Sequence, residues 1–340
     1  MREPTLLPFD EAVAGLLADQ SRLARQERDE EAALAPRLDE LGRLGAACFL
    51  PVRRGERALW GVDGGLARER RLGDTLALLS VAAVAAEEKP RALAEVLRIS
   101  HDGGAEVVLR ARMTVLELLT ARRCVSSGWV LLDGSFSSGL VAVSQALEVL
   151  GSEEGRVWRG LLDELLPAWI EALEELVSAR LPLIALPKLT SGTLLARRLD
   201  LKEPLGDRAL LSHLLPPGHW ISRDRLCAFL GESCRRVRTP RGGQGFLDGD
   251  LRARLDRAST ELGLVLSRGY YRPDSGGTVV EFETTSDEEG AVSALAGQFP
   301  TERLMEPLLL LAADEAAKGL CRLLAHFPRG ASGASYRSAR

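Results

Sequence analysis

Two aspartates each close a run of apolar residues and are each followed at once by glycine: GVDGG over residues 61–65 and LLDGS over residues 131–135. Between Asp63 and Asp133 lies Glu117, set among Val115, Leu116, Leu118 and Leu119, and a late acid, Asp314, follows the apolar run LLLLAA. The order is strand aspartate, helix glutamate, strand aspartate, then a helical aspartate. Carboxylates gathered at strand ends against a helix make a hard-oxygen site suited to Mg²⁺ or Mn²⁺. Two such ions about 4 Å apart activate a water and stabilise the leaving oxygen of a phosphodiester. Glycine after each acid lets a backbone or a substrate phosphate come close. Taken singly, each aspartate also reads as a cap on the turn after a buried strand, and Glu117 as a solvated helix residue.

The elements that must position these acids follow from the patterning. Residues 9–45, rich in Ala, Leu, Arg and Glu, read as a helix broken at Pro36. Its charged middle suits projection or packing on a partner chain. Residues 58–63 read as a short strand that Asp63 ends. The stretch from Asp74 to Glu88 reads as one or two buried strands, with helix left open by its alanines, and residues 91–100 are equally ambiguous. A helix is expected from about Leu109 to Arg123, a strand through WVLLDGS, and one long amphipathic helix over residues 153–180 that bends at Pro167. LPLIALPK is a further strand, and TSGTLLARRL opens a helix at a Ser/Thr cap. Residues 216–255 are Pro/Gly-rich and suggest an insertion or mobile loop. GLVLSRGYYR and TVVEFETT then form a hairpin around PDSGG, a last helix covers residues 305–327, and the tail 329–340 is expected to be disordered. Strands alternating with helices give an α/β fold with a largely covered sheet, divided into an N-terminal helical extension (1–50) and a main domain (51–328).

Composition narrows the function classes. A net charge of −4 over 340 residues excludes a globally basic coat for nucleic acid, but not a local basic groove. Only four of the 44 basic residues are lysines, Lys89, Lys188, Lys202 and Lys318. Five scattered cysteines with no CxxC pair indicate neither a zinc ribbon nor a disulfide framework. No signal-peptide core and no membrane-length apolar run is present, so a soluble, cytoplasmic protein is expected. No GxxxxGK[ST] loop is present, which disfavours an ATPase or kinase. His101, His213, His219 and His326 lack metal-ligand spacing and receive no role.

The ordered set GVDGG, RMTVLELL, LLDGSF, LPLIALPKLTSG, DRALLSHLLPPGHW, SRGYYRP and EPLLLLAADEAA resembles the ribonuclease H-like nuclease fold. Within that fold it resembles the NurA family of DNA-end-processing nucleases. The resemblance implies a ribonuclease H-like mixed sheet flanked by helices. It also implies an Mn²⁺-dependent nuclease, with Mg²⁺ as the second candidate cation, that cuts single-stranded DNA and resects DNA 5′→3′. Its implied partners are single- and double-stranded DNA, a second copy of the chain and a HerA-type hexameric ATP-driven translocase, with no membrane. Carried over residue by residue, the catalytic set is Asp63, Glu117, Asp133, Lys188 and Asp314, with the four acids as metal ligands. Asp314 stands where the family often has histidine, and the first motif reads DGG where the family usually has DGS. Arg112, Tyr270 and Tyr271 are candidate DNA contacts. The tyrosines equally suit a packed hairpin core, and Arg112 equally suits an ordinary surface. The competing reading is a non-catalytic ribonuclease H-like adaptor that docks on a translocase or on DNA.

Overall fold

The computed structural model describes residues 9–53, 55, 58–70, 74–99, 103–188, 192–201, 206–232 and 247–323. The chain forms two compact units, Met1–Ala47 and Cys48–Arg340. The first carries α1 (Phe9–Gly45), which runs through Pro36 without the expected break. Proline removes one backbone hydrogen bond, and good helix formers on both sides hold the turns around it.

In the second unit the apolar runs become strands of one mixed sheet: β1 (Leu50–Pro51), β2 (Leu59–Arg70), β3 (Thr75–Ala85), β4 (Arg91–Ile99), β5 (Trp129–Asp133), β6 (Leu183–Leu186), β7 (His219–Ser222), β8 (Ser267–Arg272) and β9 (Val280–Thr284). Their spatial order is β1-β7-β8-β9-β6-β5-β2-β3-β4. β2, β5 and β6 run parallel, and β3 and β4 return antiparallel on the far side of β2. This is the expected mixed sheet flanked by helices. The ambiguous segments after residue 74 are therefore strands. β3 lies between the helix Gly103–Cys124 on one face and the helix Leu308–Arg322 on the other, so burial, not propensity, decides it, and β4, more exposed at the sheet edge, is held by its pairing with β3.

The helices of this unit are α2 (Gly103–Cys124), α3 (Phe136–Gly151), α4 (Leu166–Ser178), α5 (Leu194–Arg198), α6 (Asp207–Leu214), α7 (Arg223–Leu230), α8 (Gly249–Val265), α9 (Glu288–Leu295) and α10 (Leu308–Arg322). One face of the sheet packs α2, α3, α4 and α8 against Trp60, Val62, Val130, Leu132 and Ala185. The other packs α9 and the start of α10 against Leu59, Trp129, Leu131, Ile184 and Phe282. Adjacent residues of β2 and β5 thus fall into opposite cores, as the period of two requires.

Several expectations are corrected. Asp63 does not end its strand; β2 continues seven residues beyond it. The expected long helix over 153–180 is a 3₁₀ segment (Glu154–Leu161), a turn and then α4, with Pro167 in the first turn of α4. Proline is accommodated there because that N–H has no helical partner. The Pro/Gly-rich stretch contributes β7 to the sheet and α7 to its cover, while residues 233–246 lie outside the described set. The hairpin's first strand starts at Ser267, because residues 263–265 finish α8. Cys48, Cys124 and Cys321 are free, and Cys227 is disulfide-bonded, which cysteine count and spacing did not indicate. His101, His326 and the tail 329–340 lie outside the described residues. No helix among the described residues is long and apolar enough to cross a membrane.

α10 lies directly on β2. A Cβ placed on Gly61 would stand 2.4 Å from the Leu309 carbonyl oxygen, and one on Gly65 would stand 3.0 Å from both the Ser80 Oγ and the Cys321 Sγ. The Ser80 hydroxyl donates to the Ala317 carbonyl at 2.9 Å. A serine in place of Gly65 would be crowded, which accounts for DGG in the first motif. Because backbone would meet side chain at Gly61, Gly61→Ala should lower stability by about 2 kcal/mol, seen as a drop in the urea midpoint. An unchanged midpoint would show that α10 is free to retreat.

Candidate functional site

β2 and β5 pair in parallel with Val62 opposite Leu132, so the next residue on each, Asp63 and Asp133, stands side by side on the face that α10 covers. β5 ends at Asp133, whereas β2 runs on. Beyond this point the edge of β2 that faced β5 is open. Glu117 reaches that edge from α2, on the opposite face: a Cβ on Gly64 would lie 2.3 Å from its Oε1 and 2.7 Å from the Met113 Cγ. The Gly64 N–H donates to the Asp63 Oδ1 at 2.7 Å and also serves Glu117.

The two glycines after the two aspartates therefore answer different needs. Gly64 makes room for a carboxylate from across the sheet. Gly134 turns the chain at φ +88°, a left-handed conformation that a side chain would strain, and its N–H donates to the Leu186 carbonyl at 3.1 Å. Ser135 then caps α3 through a reciprocal box with Ser138, which gives the serine of the second motif a structural task.

The acids share one electrostatic site. Burial, then the neighbouring charge of Asp133, pushes the Asp63 carboxyl up to about 7, against the pull of the Gly64 N–H. Burial, with the charges of Asp63 and Asp133 behind it, holds Glu117 well above the usual carboxylate range. Asp314 adds its charge to Asp63 from α10 and pairs with Lys318 one helical turn on. The Lys188 ammonium, two residues past the end of β6, lies 2.7 Å from the Asp133 Oδ2 and 3.5 Å from the Glu306 Oε1. Partial burial pulls its pKa down, but the hydrogen bond and charge of Asp133 outweigh that and raise it, so it is a fixed cation at neutral pH.

Asp63, Glu117, Asp133, Lys188 and Asp314 are thus brought to one place. Arg112, Tyr270 and Tyr271 are not. Arg112 turns to Glu95 of β4 at 2.7 Å and to the Leu161 carbonyl. Tyr270 and Tyr271 are 0% and 1% exposed, so neither ring offers a stacking surface. Glu306 escaped the sequence reading. Its one available signal was its place directly before the proline that opens an apolar helix, beside the run carrying Asp314.

Three carboxylates in mutual repulsion, with an ammonium already drawn to one of them, are the donor chemistry of a hard divalent cation. Among the described residues no three acidic, histidine or cysteine side chains yet converge as a finished metal cage. Asp133 is engaged by Lys188, and Asp63 gives an oxygen to Gly64. A cation here would take Lys188's place on Asp133.

No protein-family model matches the chain and no curated protein does. Solved structures do. The NurA nuclease from Sulfolobus solfataricus aligns over 91% of this chain and 95% of its own, at 15% identity and a TM-score of 0.57. The chain has the NurA fold. A structure of NurA bound to dAMP and manganese matches over 92% of this chain and 93% of its own, with 14% identity and a TM-score of 0.57. A NurA structure with manganese covers 89% and 99%, with 15% identity and a TM-score of 0.52. On this NurA fold the acids gather at the divergence of β2 and β5.

The raised acids set the sign of a pH effect. Asp63 in the unfolded chain loses its proton near pH 4, and in the folded chain near 7. Between those values the folded state binds more protons, so stability falls as pH rises. Melting in chelator should give a lower Tm at pH 7.5 than at pH 5, and Asp63→Asn with Glu117→Gln should shrink the difference. An unchanged difference would place the buried charge elsewhere.

Proposed function

We propose that the protein is a divalent-metal-dependent DNA nuclease, with Asp63, Glu117 and Asp133 holding the metal and Asp314 supporting them from α10. The observation that carries this reading is the meeting of Asp63, Glu117 and Asp133, from three elements of a NurA fold, in one electrostatic site with half-buried glycine backbone beside them. When bound, Mn²⁺ or Mg²⁺ supplies a Lewis acid for the scissile phosphate and lowers the pKa of a water. The chain's own residues do the rest. The Gly64 N–H orients Asp63. The sheet and α2 hold Asp63 and Glu117 where water is scarce, which strengthens their electrostatics. Lys188, released from Asp133, offers its ammonium to phosphate charge. Activity on single strands as an endonuclease and on ends as a 5′→3′ exonuclease is part of the proposal, as are a cytoplasmic role in DNA end resection, a homodimer and a HerA-type translocase.

Labelled single-stranded DNA should be cut with Mn²⁺ and spared in EDTA. Asp63→Asn and Asp133→Asn should each reduce cleavage at least about 1,000-fold, in the range of losses for essential catalytic groups, with cooperative melting retained. Wild-type rates in either variant would remove that residue from the site. DNA binding without any cleavage would leave the adaptor reading.

Duplex DNA raises a separate requirement. Opening it means breaking stacking of about 1.4 kcal/mol per base-pair step, and the sequence carries no nucleotide-binding loop to drive this. Long duplex resection should therefore be weak with the nuclease alone and rise at least tenfold with a HerA-type translocase and ATP, while single-strand cutting changes little. Equal rates on duplex with and without the translocase would contradict the partnership.

A further inference from the structure

The nuclease reading leaves unexplained why the strand next to β6 carries acids into the core. Glu283 of β9 is 0% exposed. It lies directly opposite Ala185 of β6 on one side and Arg268 of β8 on the other. Opposed residues share a face, and Ala185 is packed in the core that also buries α3. Its single methyl leaves space for the glutamate to pass over β6. The Phe136 N–H donates to the Glu283 Oε2 at 2.9 Å, and the Ser137 N–H also serves this carboxylate. These are the first two N–H groups of α3, which have no partner within the helix. The Arg268 guanidinium lies 2.5 Å from the Glu283 Oε1 and donates to the Ser137 hydroxyl at 3.2 Å. A buried, charge-balanced clamp thus grips the start of α3 three residues after Asp133.

The consequence runs through a short stretch of chain. Gly134 and Ser135 are the whole of the link between Asp133, the last residue of β5, and α3. Gly134 fixes one side of that link by bonding to Leu186 of β6. Glu283 fixes the other by holding Phe136 and Ser137. A carboxylate accepting from backbone N–H groups makes charge-assisted bonds, stronger than neutral ones, and negative charge at a helix N-terminus is favoured by the helix dipole. Glu283 and Arg268 form no hydrogen bond or ion pair with Asp63 or Glu117.

We infer that Glu283, with Arg268 as its counter-charge, is a positioning residue that holds the Asp133 turn in register with Asp63. The clamp sets where the Asp133 carboxylate stands without itself meeting DNA. The role rests on the nuclease reading for its meaning in catalysis, but its structural content is independent of that reading. Neither charge is placed to serve solvent. They are also not a generic core pair, because both are spent on one helix start, the one that Asp133 feeds.

Two measurements on Glu283→Gln decide it. The amide keeps the shape but removes the charge shared by two backbone donors. Hydrogen exchange at residues 134–138 should quicken at least tenfold, while the later turns of α3, at Leu147 and Leu150, keep wild-type protection. In Mn²⁺-dependent cleavage, kcat should fall about tenfold with KM for DNA within twofold, because substrate contacts are untouched. Exchange unchanged at 134–138 would overturn the inference, and so would uniform loosening of the whole helix. A wild-type protein that cuts nothing would sink the nuclease reading, and the exchange result would still decide the clamp. Should Glu283→Gln fail to melt cooperatively, Ser137→Ala removes only the hydroxyl that Arg268 reaches. It should quicken exchange at 136–138 about threefold, and no change there would overturn the inference equally.

Discussion

Two aspartates held side by side by a parallel strand pair are the constraint on which this molecule turns. Neighbouring strands lie about 4.8 Å apart, and two unit charges at that separation repel by about 3 kcal/mol at an effective dielectric of about 20. The register of β2 and β5 imposes that proximity on Asp63 and Asp133, and α2 adds Glu117 beside them. The structure meets the repulsion in three ways. Asp63 and Glu117 keep protons above the usual carboxylate range, the Lys188 ammonium sits on Asp133, and the Gly64 N–H is turned to the acids. Each of these offsets part of the crowded negative charge.

The open strand edge beside these acids is a matter of strand length. β5 stops at Asp133 while β2 goes on for seven residues, so the sheet divides where the acids stand, in the manner of a topological switch point. One side chain, Glu117, can then reach β2 from the far face. α10 closes the other face, and the glycines of β2 bring its backbone against the strand, which sets Asp314 near Asp63. A strand that ended with Asp63, as the apolar run alone suggests, would have had neither the open edge nor the surface for α10.

Local pattern carried much of this and failed at recognisable places. Acids closing apolar runs, with glycine following, were visible at Asp63 and Asp133, and the apolar neighbours of Glu117 argued against an exposed face while leaving a solvated helix residue open. The alanine-rich run through Ser80 was ambiguous because two-sided burial erases the alternation that marks a strand. The extent of β2 was hidden because LARER looks like a solvated helix start, while its pairing with β3 is a tertiary fact. Tyr270 and Tyr271 point to opposite faces of one strand, and both faces are covered, so no surface remains for a base to stack on. Arg112 was one turn from Glu117 in sequence, yet its guanidinium finds Glu95, an acid on a strand of unclear type. In each miss the deciding partner is remote along the chain.

The same remoteness explains why charged residues occupy the interior of β9. Glu281 and Glu283 alternate with Val280 and Phe282, a pattern that in isolation signals a strand with one wet face. Here that face is dry, and burial lifts both carboxyls from their ordinary range, Glu281 to about 7. Asp207 repeats the device at the start of α6: fully buried, it accepts from the Leu195 N–H at 2.8 Å, while its own N–H donates to the Gly192 carbonyl. Gly192 lies just ahead of α5. Buried carboxylates are costly unless hydrogen-bonded, and a purely apolar interior would be the more stable choice if stability were the sole demand. Glu283 is spent on the start of α3, three residues after Asp133, so what that stability is exchanged for is a fixed turn behind the carboxylate that pairs with Lys188 at 2.7 Å.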